Sequence, residues 1–144
     1  MEKRQNKKVV AISGYFDPLH IGHLDLIKRA KELGDYLIVI VNTDQQSFLK
    51  KGRSFMSEKE RFEIMKSLKL VDEVVLSIDK DRTVCKTLEM IKPDIFANGG
   101  DNITGKIPEQ EVCDKLDIQI VNNLGEKKQS SSKLTGLPGT YDNK

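Results

Sequence analysis

Apolar residues fall into short runs whose spacing switches between two periods along the chain. Val9-Val10-Ala11-Ile12-Ser13 is a β-branched run of strand type, ended by Gly14. Ile21, Leu24 and Ile27, continued by Ala30 and Leu33, recur at helical spacing, and Gly34 reads as the C′ residue that closes the helix. Tyr36 to Val41 is nearly continuous in apolar side chains, the pattern of a strand buried on both faces. Ser57-Glu58-Lys59-Glu60 reads as a capping box opening a helix with Phe62, Met65 and Leu68 on one stripe. Glu73 to Ile78 is again strand-like, Val84 to Ile91 helical and Asp94 to Ala97 a strand. Ile107 to Leu116 reads as helix and Ile118 to Val121 as strand, and Ser130 to Leu134 opens a last short helix.

The alternation β-α-β-α-β-α-β-α-β predicts a doubly wound parallel five-stranded sheet with helices on both faces. Its connections are expected to be right-handed, and ligands to gather beyond the carboxyl ends of the strands. Residues 1–144 read as one domain, with flexible tails expected at 1–7 and 136–144 and no internal repeat or linker.

Composition adds exclusions. A hydrophobic fraction of 38% and a charged fraction of 32% are those of an ordinary globular protein, and no run has the apolar length of a membrane helix. The basic opening, Met1 to Lys8, lacks an apolar core and reads as a frayed tail rather than a secretory signal. Cys85 and Cys113 are far apart with no C-x-x-C spacing, which fits a reducing cytoplasm better than a zinc site or disulfide framework. A net charge of +2 with interspersed signs does not suggest a nucleic-acid binder; Lys50-Lys51-Gly52-Arg53 is the local exception.

The candidate chemistry lies where the first strand meets the first helix. In a parallel α/β sheet that junction binds phosphate, because the helix amino end offers unpaired N–H groups and partial positive charge. Gly14 lets the backbone turn, and Gly22 removes a side chain where a ligand approaches. His20 and His23, the only two histidines in the chain, stand three apart and project from one side of a first helical turn. Two imidazoles there can donate to phosphate oxygens, which suits phosphoryl or nucleotidyl transfer, a reaction that needs positioning and charge stabilisation more than covalent help. Simple helix capping by the pair, or a metal site built on it, are the alternatives; the second lacks a nearby third His or Cys.

Gly14 to His23, with its H-x-G-H core, resembles the signature of the cytidylyltransferase-like nucleotidyltransferases, the HIGH-type enzymes. The similarity continues through Arg29 to Val39 and Asn42-Thr43-Asp44, returns in Glu60-Arg61, Val71 to Val75, Lys92-Pro93-Asp94 and Gly99-Gly100-Asp101, and ends in Ser130-Ser131-Ser132. The H-x-G-H element alone is shared with class I aminoacyl-tRNA synthetases, but this chain is too short for an anticodon-binding domain, and Phe55 to Lys59 resembles the second synthetase signature only faintly.

The resemblance implies a Rossmann-like fold and assigns roles. His20 and His23 would contact the triphosphate and stabilise the transition state, Tyr15, Phe16 and Gly22 would line the nucleotide site, and Asp17 would orient a neighbouring donor or cap the turn before Pro18. Lys50 or Lys51 would neutralise the triphosphate or grip the acceptor phosphate, with Asp44 on the acceptor side; a solvated loop is the plainer reading of this basic run. Arg61 would point back at the phosphates rather than form a surface ion pair, and Asp101 would contact nucleotide or acceptor. Ser130, Ser131 and Ser132 would hold phosphate at the last helix, or serve only as its N-cap.

One departure concerns the stretch ahead of the serine turn. The glycerol-phosphate cytidylyltransferase branch has arginine there, whereas this chain has Gly125-Glu126-Lys127-Lys128. The amino-terminal half resembles that branch, the carboxyl half the heptose-phosphate adenylyltransferases. The resemblance therefore implies transfer of a nucleoside monophosphate from CTP or ATP to a sugar or polyol phosphate such as glycerol 3-phosphate or heptose 1-phosphate. Mg²⁺ would ride on the triphosphate rather than on protein ligands. FMN adenylyl transfer and phosphocholine or phosphoethanolamine cytidylyl transfer are alternatives, and a non-catalytic nucleotide-binding regulatory module is the reading from another class. A cytoplasmic homodimer, with no nucleic-acid or membrane partner, completes the expectation.

Overall fold

A computed structural model describes residues 6–99 and 107–124. The elements run β1 (Val9–Gly14), α1 (Ile21–Lys31), β2 (Tyr36–Val41), α2 (Asp44–Lys51), α3 (Glu58–Lys66), β3 (Glu73–Leu76), α4 (Cys85–Ile91), β4 (Ile95–Gly99), α5 (Gln110–Leu116) and β5 (Gln119–Leu124). The five strands form one parallel sheet in the order β3-β2-β1-β4-β5. This is the Rossmann-like arrangement expected from the sequence. Strand order reverses beside β1: the chain moves outward through β2 and β3, then returns to place β4 on the other edge of β1. In such sheets a ligand crevice opens at that reversal, beyond the carboxyl ends of the strands.

The two faces of the sheet follow from strand alternation. Val9, Ala11, Tyr36, Ile38, Ile40 and Phe96 point one way and pack beneath Leu88 and Ile91 of α4 and Cys113 of α5. Val10, Ile12, Leu37, Val39 and Val41 point the other way, against Ile27 and Ala30 of α1 and Met65 of α3. Every residue of β2 is buried, whereas β3 at the edge is only half-buried throughout, which explains why the former reads as a solid apolar run. Each fully buried aliphatic side chain contributes roughly 1.5–3 kcal/mol, so these two layers dominate stability.

Three aspartates of the recognised motifs sit at the opposite, amino end of the strands. Asp94 accepts from Val9 N at 2.8 Å, Asp72 from Leu37 N at 2.8 Å and Asp35 from Lys8 N at 3.0 Å. They satisfy strand-opening amides and set register; Lys92-Pro93-Asp94 and Val71-Asp72-Glu73 are therefore architectural.

Several local expectations change. An extra helix, α2, lies between β2 and α3, where the sequence reading placed a loop. Gly34 is not a left-handed helix cap: α1 is closed by Glu32 in right-handed geometry, and Gly34 is required because a Cβ would stand 2.7 Å from Lys8 O. The Ser57 box is half-built, with Glu60 N donating to Ser57 Oγ at 3.2 Å and no return bond to the Ser57 amide. In α3 the buried face carries Arg61 and Met65, leaving Phe62 half-buried. Helix α5 starts at Gln110 rather than Ile107, since Pro108 disfavours helical geometry in the residue before it.

Candidate active site

β1 ends at Gly14, and the next residues make a tight turn into α1. The glycine is needed for close packing, not for a left-handed bend: a Cβ at Gly14 would lie 2.8 Å from Cζ of the Phe16 ring. Phe16 itself takes the left-handed backbone, with φ of 51°. Its ring is buried and meets the His23 imidazole edge to face at 5.0 Å between centroids.

His20 is the N-cap of α1 and His23 its third residue. Gly22 N donates to His20 Nδ1 at 3.1 Å, and His20 N donates to His23 Nδ1 at 3.2 Å. The two rings stack with centroids 3.8 Å apart and planes 20° from parallel. Because Nδ1 of each ring accepts a backbone proton, a neutral imidazole carries its own proton on Nε2. His23 is held neutral: burial, with help from His20 and Lys50, pushes its pKa down to about 3. The sequence reading left the helix-end amides for phosphate; at His20 and Gly22 they are taken by the imidazoles.

Asp17 is fully buried. Its carboxylate accepts from Phe55 N at 2.8 Å and Met56 N at 2.6 Å and pairs with Lys51 Nζ at 3.3 Å. It fastens the α2–α3 connection to the turn and fixes Lys51. Neither Lys50 nor Lys51 lies on a solvated loop. Both end α2, whose amino end is a reciprocal box between Thr43 and Gln46 and whose carboxyl end is Gly52 at φ of 87°. That Thr-x-x-Gln and Gly pair was the signal that would have found the helix. Lys50 is buried, with Nζ 4.5 Å from the centre of the Tyr15 ring.

Arg61 overturns the surface-ion-pair alternative, for its side chain is wholly buried. Nε donates to Met56 O at 3.0 Å, Nη1 to Tyr15 O at 2.8 Å and to Asn42 O at 2.7 Å, and Nη2 to Asp44 Oδ1 at 2.7 Å. The guanidinium thus ties the ends of β1 and β2 to α2 and α3. Asp44 also accepts from Ser54 Oγ at 2.8 Å; burial alone would raise its carboxyl, but the bonds from Arg61 and Ser54 outweigh it and hold the pKa below the usual range.

Sequence reasoning missed Gln46, which is fully buried. Its amide oxygen accepts from Asn42 Nδ2 and Thr43 N, and its amide nitrogen donates to Asp81 O at 2.7 Å and Thr83 O at 2.9 Å. One side chain therefore joins β2, α2 and the β3–α4 connection. Tyr15, Phe16, Asp17, His20, Gly22, His23, Asp44, Lys50, Lys51 and Arg61 are brought together around the carboxyl ends of β1 and β2. Asp101 and Ser130, Ser131 and Ser132 lie outside the described residues, as do Lys127 and Lys128. Among the described residues no group of three or more His, Cys, Asp or Glu is placed to hold a metal ion.

Residues 11–133 match the model of the cytidylyltransferase-like family. The chain belongs to that family. This nucleotidyltransferase is 37% identical over 145 residues to a FAD synthase of Thermococcus sibiricus, covering 98% of the chain and 86% of the relative. It is 41% identical over 114 residues to the bifunctional protein HldE of Citrifermentans bemidjiense, covering 77% of the chain but only 23% of that longer protein. Among solved structures, a lipopolysaccharide core biosynthesis protein from Thermoplasma volcanium superposes with a TM-score of 0.70 at 30% identity, covering 86% of this chain and 100% of that one. A pantoate-beta-alanine ligase from Francisella tularensis shares the fold alone, with a TM-score of 0.60 at 16% identity over 91% of this chain and 66% of that one. Within the nucleotidyltransferase, the stacked histidines stand at the sheet's reversal point, the place where open α/β sheets form a ligand crevice.

Proposed function

We propose that the chain transfers an adenylyl group from ATP to the phosphate of a phosphomonoester. An acceptor phosphate oxygen attacks the α-phosphorus, a new P–O bond forms, and the bond to the bridging oxygen of the departing pyrophosphate breaks. The observation that carries this reading is the His20–His23 pair, whose rings are fixed by backbone bonds to Nδ1, with His23 held neutral by burial where negative charge develops. Donors locked before the substrate arrives need no reorganisation during the reaction.

Mg²⁺ would be carried by phosphate oxygens. Both Asp17 oxygens are bonded to backbone amides, and the Asp44 oxygen nearest Arg61 is bonded to Arg61 and Ser54, so neither is arranged as a metal cage. The ion would offset triphosphate charge and ease departure of pyrophosphate.

FMN is the acceptor best supported, because the FAD synthase of Thermococcus sibiricus matches 98% of the chain and FAD is the adenylylated form of FMN. A sugar phosphate is the second reading, supported by the HldE match and by the Thermoplasma structure named for lipopolysaccharide core synthesis. A pyrophosphate-release screen crossing ATP and CTP with FMN, heptose 1-phosphate and glycerol 3-phosphate separates them. Turnover with ATP and FMN is the expected result; turnover with CTP only, or with no pair, sinks the proposal.

A cytoplasmic homodimer is proposed with it. The exposed side chains of Phe48, Leu49 and Phe55 supply apolar surface near the site, and both cysteines are free thiols. No helix among the described residues is long and apolar enough to cross a membrane. Light scattering of the full chain tests the assembly, and a monomer at micromolar concentration would refute it.

A further inference from the structure

The sheet turns polar where β4 and β5 end. Phe96 and Ile120 pack in the apolar layer beneath α4 and α5, and two residues further on the same rows become Asn98 and Asn122, both half-buried. Asn98 Nδ2 donates to Asn122 Oδ1 at 3.3 Å across the strands. The register slips beside them: Ala97 faces Val121, but Gly99 faces Leu124, so β5 carries an extra residue, and Asn123 takes the left-handed backbone with φ of 61°. Such bulges re-aim side chains and are common beside active sites. Gly99 supplies space next to the pair: among the described residues, a Cβ there would meet only Leu26 Cδ2, at 3.9 Å. Leu26 follows His23 by one turn of α1, so that space adjoins the histidine turn.

A nucleotide whose phosphates meet His20 and His23 at the end of β1 extends its base toward β2 or toward β4. The β2 side is filled. Asn42, Gln46 and Arg61 are buried there and spend their polar groups on one another and on the backbone. Resting on the reading of the chain as an adenylyltransferase, we propose that the base lies over β4 and β5, that Asn98 reads it, and that Asn122 fixes the direction of the reading. Those strands stand roughly 5 and 10 Å from β1. With one Nδ2 proton given to Asn122, the Asn98 carboxamide offers Oδ1 as acceptor and its second Nδ2 proton as donor. That edge matches the N6 amine and ring N1 of adenine. A 6-oxo purine sets O6 against Oδ1 and N1–H against the Nδ2 proton, and the amide cannot turn over to suit it without breaking its bond to Asn122. The site thus selects amino bases over oxo bases. Cytosine presents an amino edge too, so this contact rejects oxo nucleotides and does not by itself separate ATP from CTP.

The test uses the full chain with Mg²⁺, whichever acceptor the wild type turns over, and ATP beside ITP, which differ only at that edge. The wild-type kcat/KM should favour ATP about ten- to a hundredfold, the worth of one bidentate amide pair. Asn98→Ala should bring the ratio near unity by losing ATP turnover while keeping ITP turnover, which also shows that the variant is folded. Asn122→Ala should raise ITP use, because the freed amide can turn over; a merely structural asparagine pair would lower both nucleotides alike. No preference in the wild type, a parallel loss of both nucleotides in Asn98→Ala, or no ITP gain in Asn122→Ala would overturn the assignment. Calorimetric titration with ATP and with ITP, without acceptor, separates this idea from the proposed function. If the wild type turns over no acceptor, adenylyl transfer fails, yet a preference for binding ATP that Asn98→Ala abolishes still supports a base site at Asn98, and equal binding removes it.

Discussion

His20 and His23 cap one another: the backbone amide of the first donates to the ring of the second, and the rings stack at 3.8 Å. Each imidazole is therefore oriented by the protein through Nδ1, which leaves its own proton on Nε2 when the ring is neutral. A pair of histidines three apart at a helix start becomes a rigid two-donor device only because Gly22 N closes the other half of the box at 3.1 Å.

His23→Ala should lower turnover by about 10²–10³-fold, the usual consequence of deleting a donor aimed at developing charge. It should destabilise the fold by only about 1 kcal/mol, the cost of a lost cap. Pyrophosphate release measured beside a urea unfolding curve checks both, and a large drop in stability with little change in turnover would reassign His23 to a capping role.

The same histidine makes stability depend on pH. Its folded pKa of about 3 lies below the ordinary value of 6.5, so between those values the unfolded chain binds a proton that the folded chain refuses. The contribution of His23 is fully present above pH 6.5 and is lost as pH falls toward 3. Its slope approaches about 1.4 kcal/mol per pH unit at most. Urea midpoints from pH 7 down to 4.5 should fall more steeply for the wild type than for His23→Asn. Parallel curves would show that the ring is not buried as described.

Much of this was legible in the residues. Periodicity exposes the strands because β1 and β2 are buried on both faces, and the H-x-G-H turn announces itself through rare residue types. The carboxyl end of α2 was misread because Lys50 and Lys51 suggest solvent, whereas the tertiary fold buries one beneath Tyr15 and pairs the other with Asp17. Arg61 was singled out by the resemblance, but its burial and its partners were hidden for the same reason. A charged residue among three glutamates looks like surface, and the carbonyls that receive it, Tyr15 O and Asn42 O, lie 46 and 19 residues away. Long-range backbone acceptors leave no local pattern. Gln46 is invisible in sequence on the same grounds.

Arg61→Ala should act first on stability. Removing the buried guanidinium leaves two strand-end carbonyls and the Asp44 carboxylate without their donor, a loss of about 3–5 kcal/mol against a typical total of roughly 5–15 kcal/mol. Lysine cannot replace it, for three ammonium protons cannot serve four acceptors in the arginine geometry. The urea midpoint should drop sharply in Arg61→Ala and recover little in Arg61→Lys. An unchanged midpoint with a raised KM for ATP would instead restore the phosphate-facing role that the resemblance implied.

Asp17→Asn isolates the connection between the turn and the α2–α3 segment. The amide keeps one oxygen acceptor, so one of the Phe55 and Met56 amides loses its partner, and the buried Lys51 ammonium loses its counter-charge. An unpaired buried ammonium tends to shed its proton or swing toward solvent, carrying the end of α2 with it. Hydrogen exchange at Phe55 and Met56 should therefore accelerate by at least tenfold, the equivalent of about 1.4 kcal/mol of local opening. The β2 amides of Leu37 to Val41, in the buried centre of the sheet, should keep their protection. If Phe55 and Met56 exchange as slowly in Asp17→Asn as in the wild type, Asp17 does not hold the segment, and Lys51 must be fixed by packing alone.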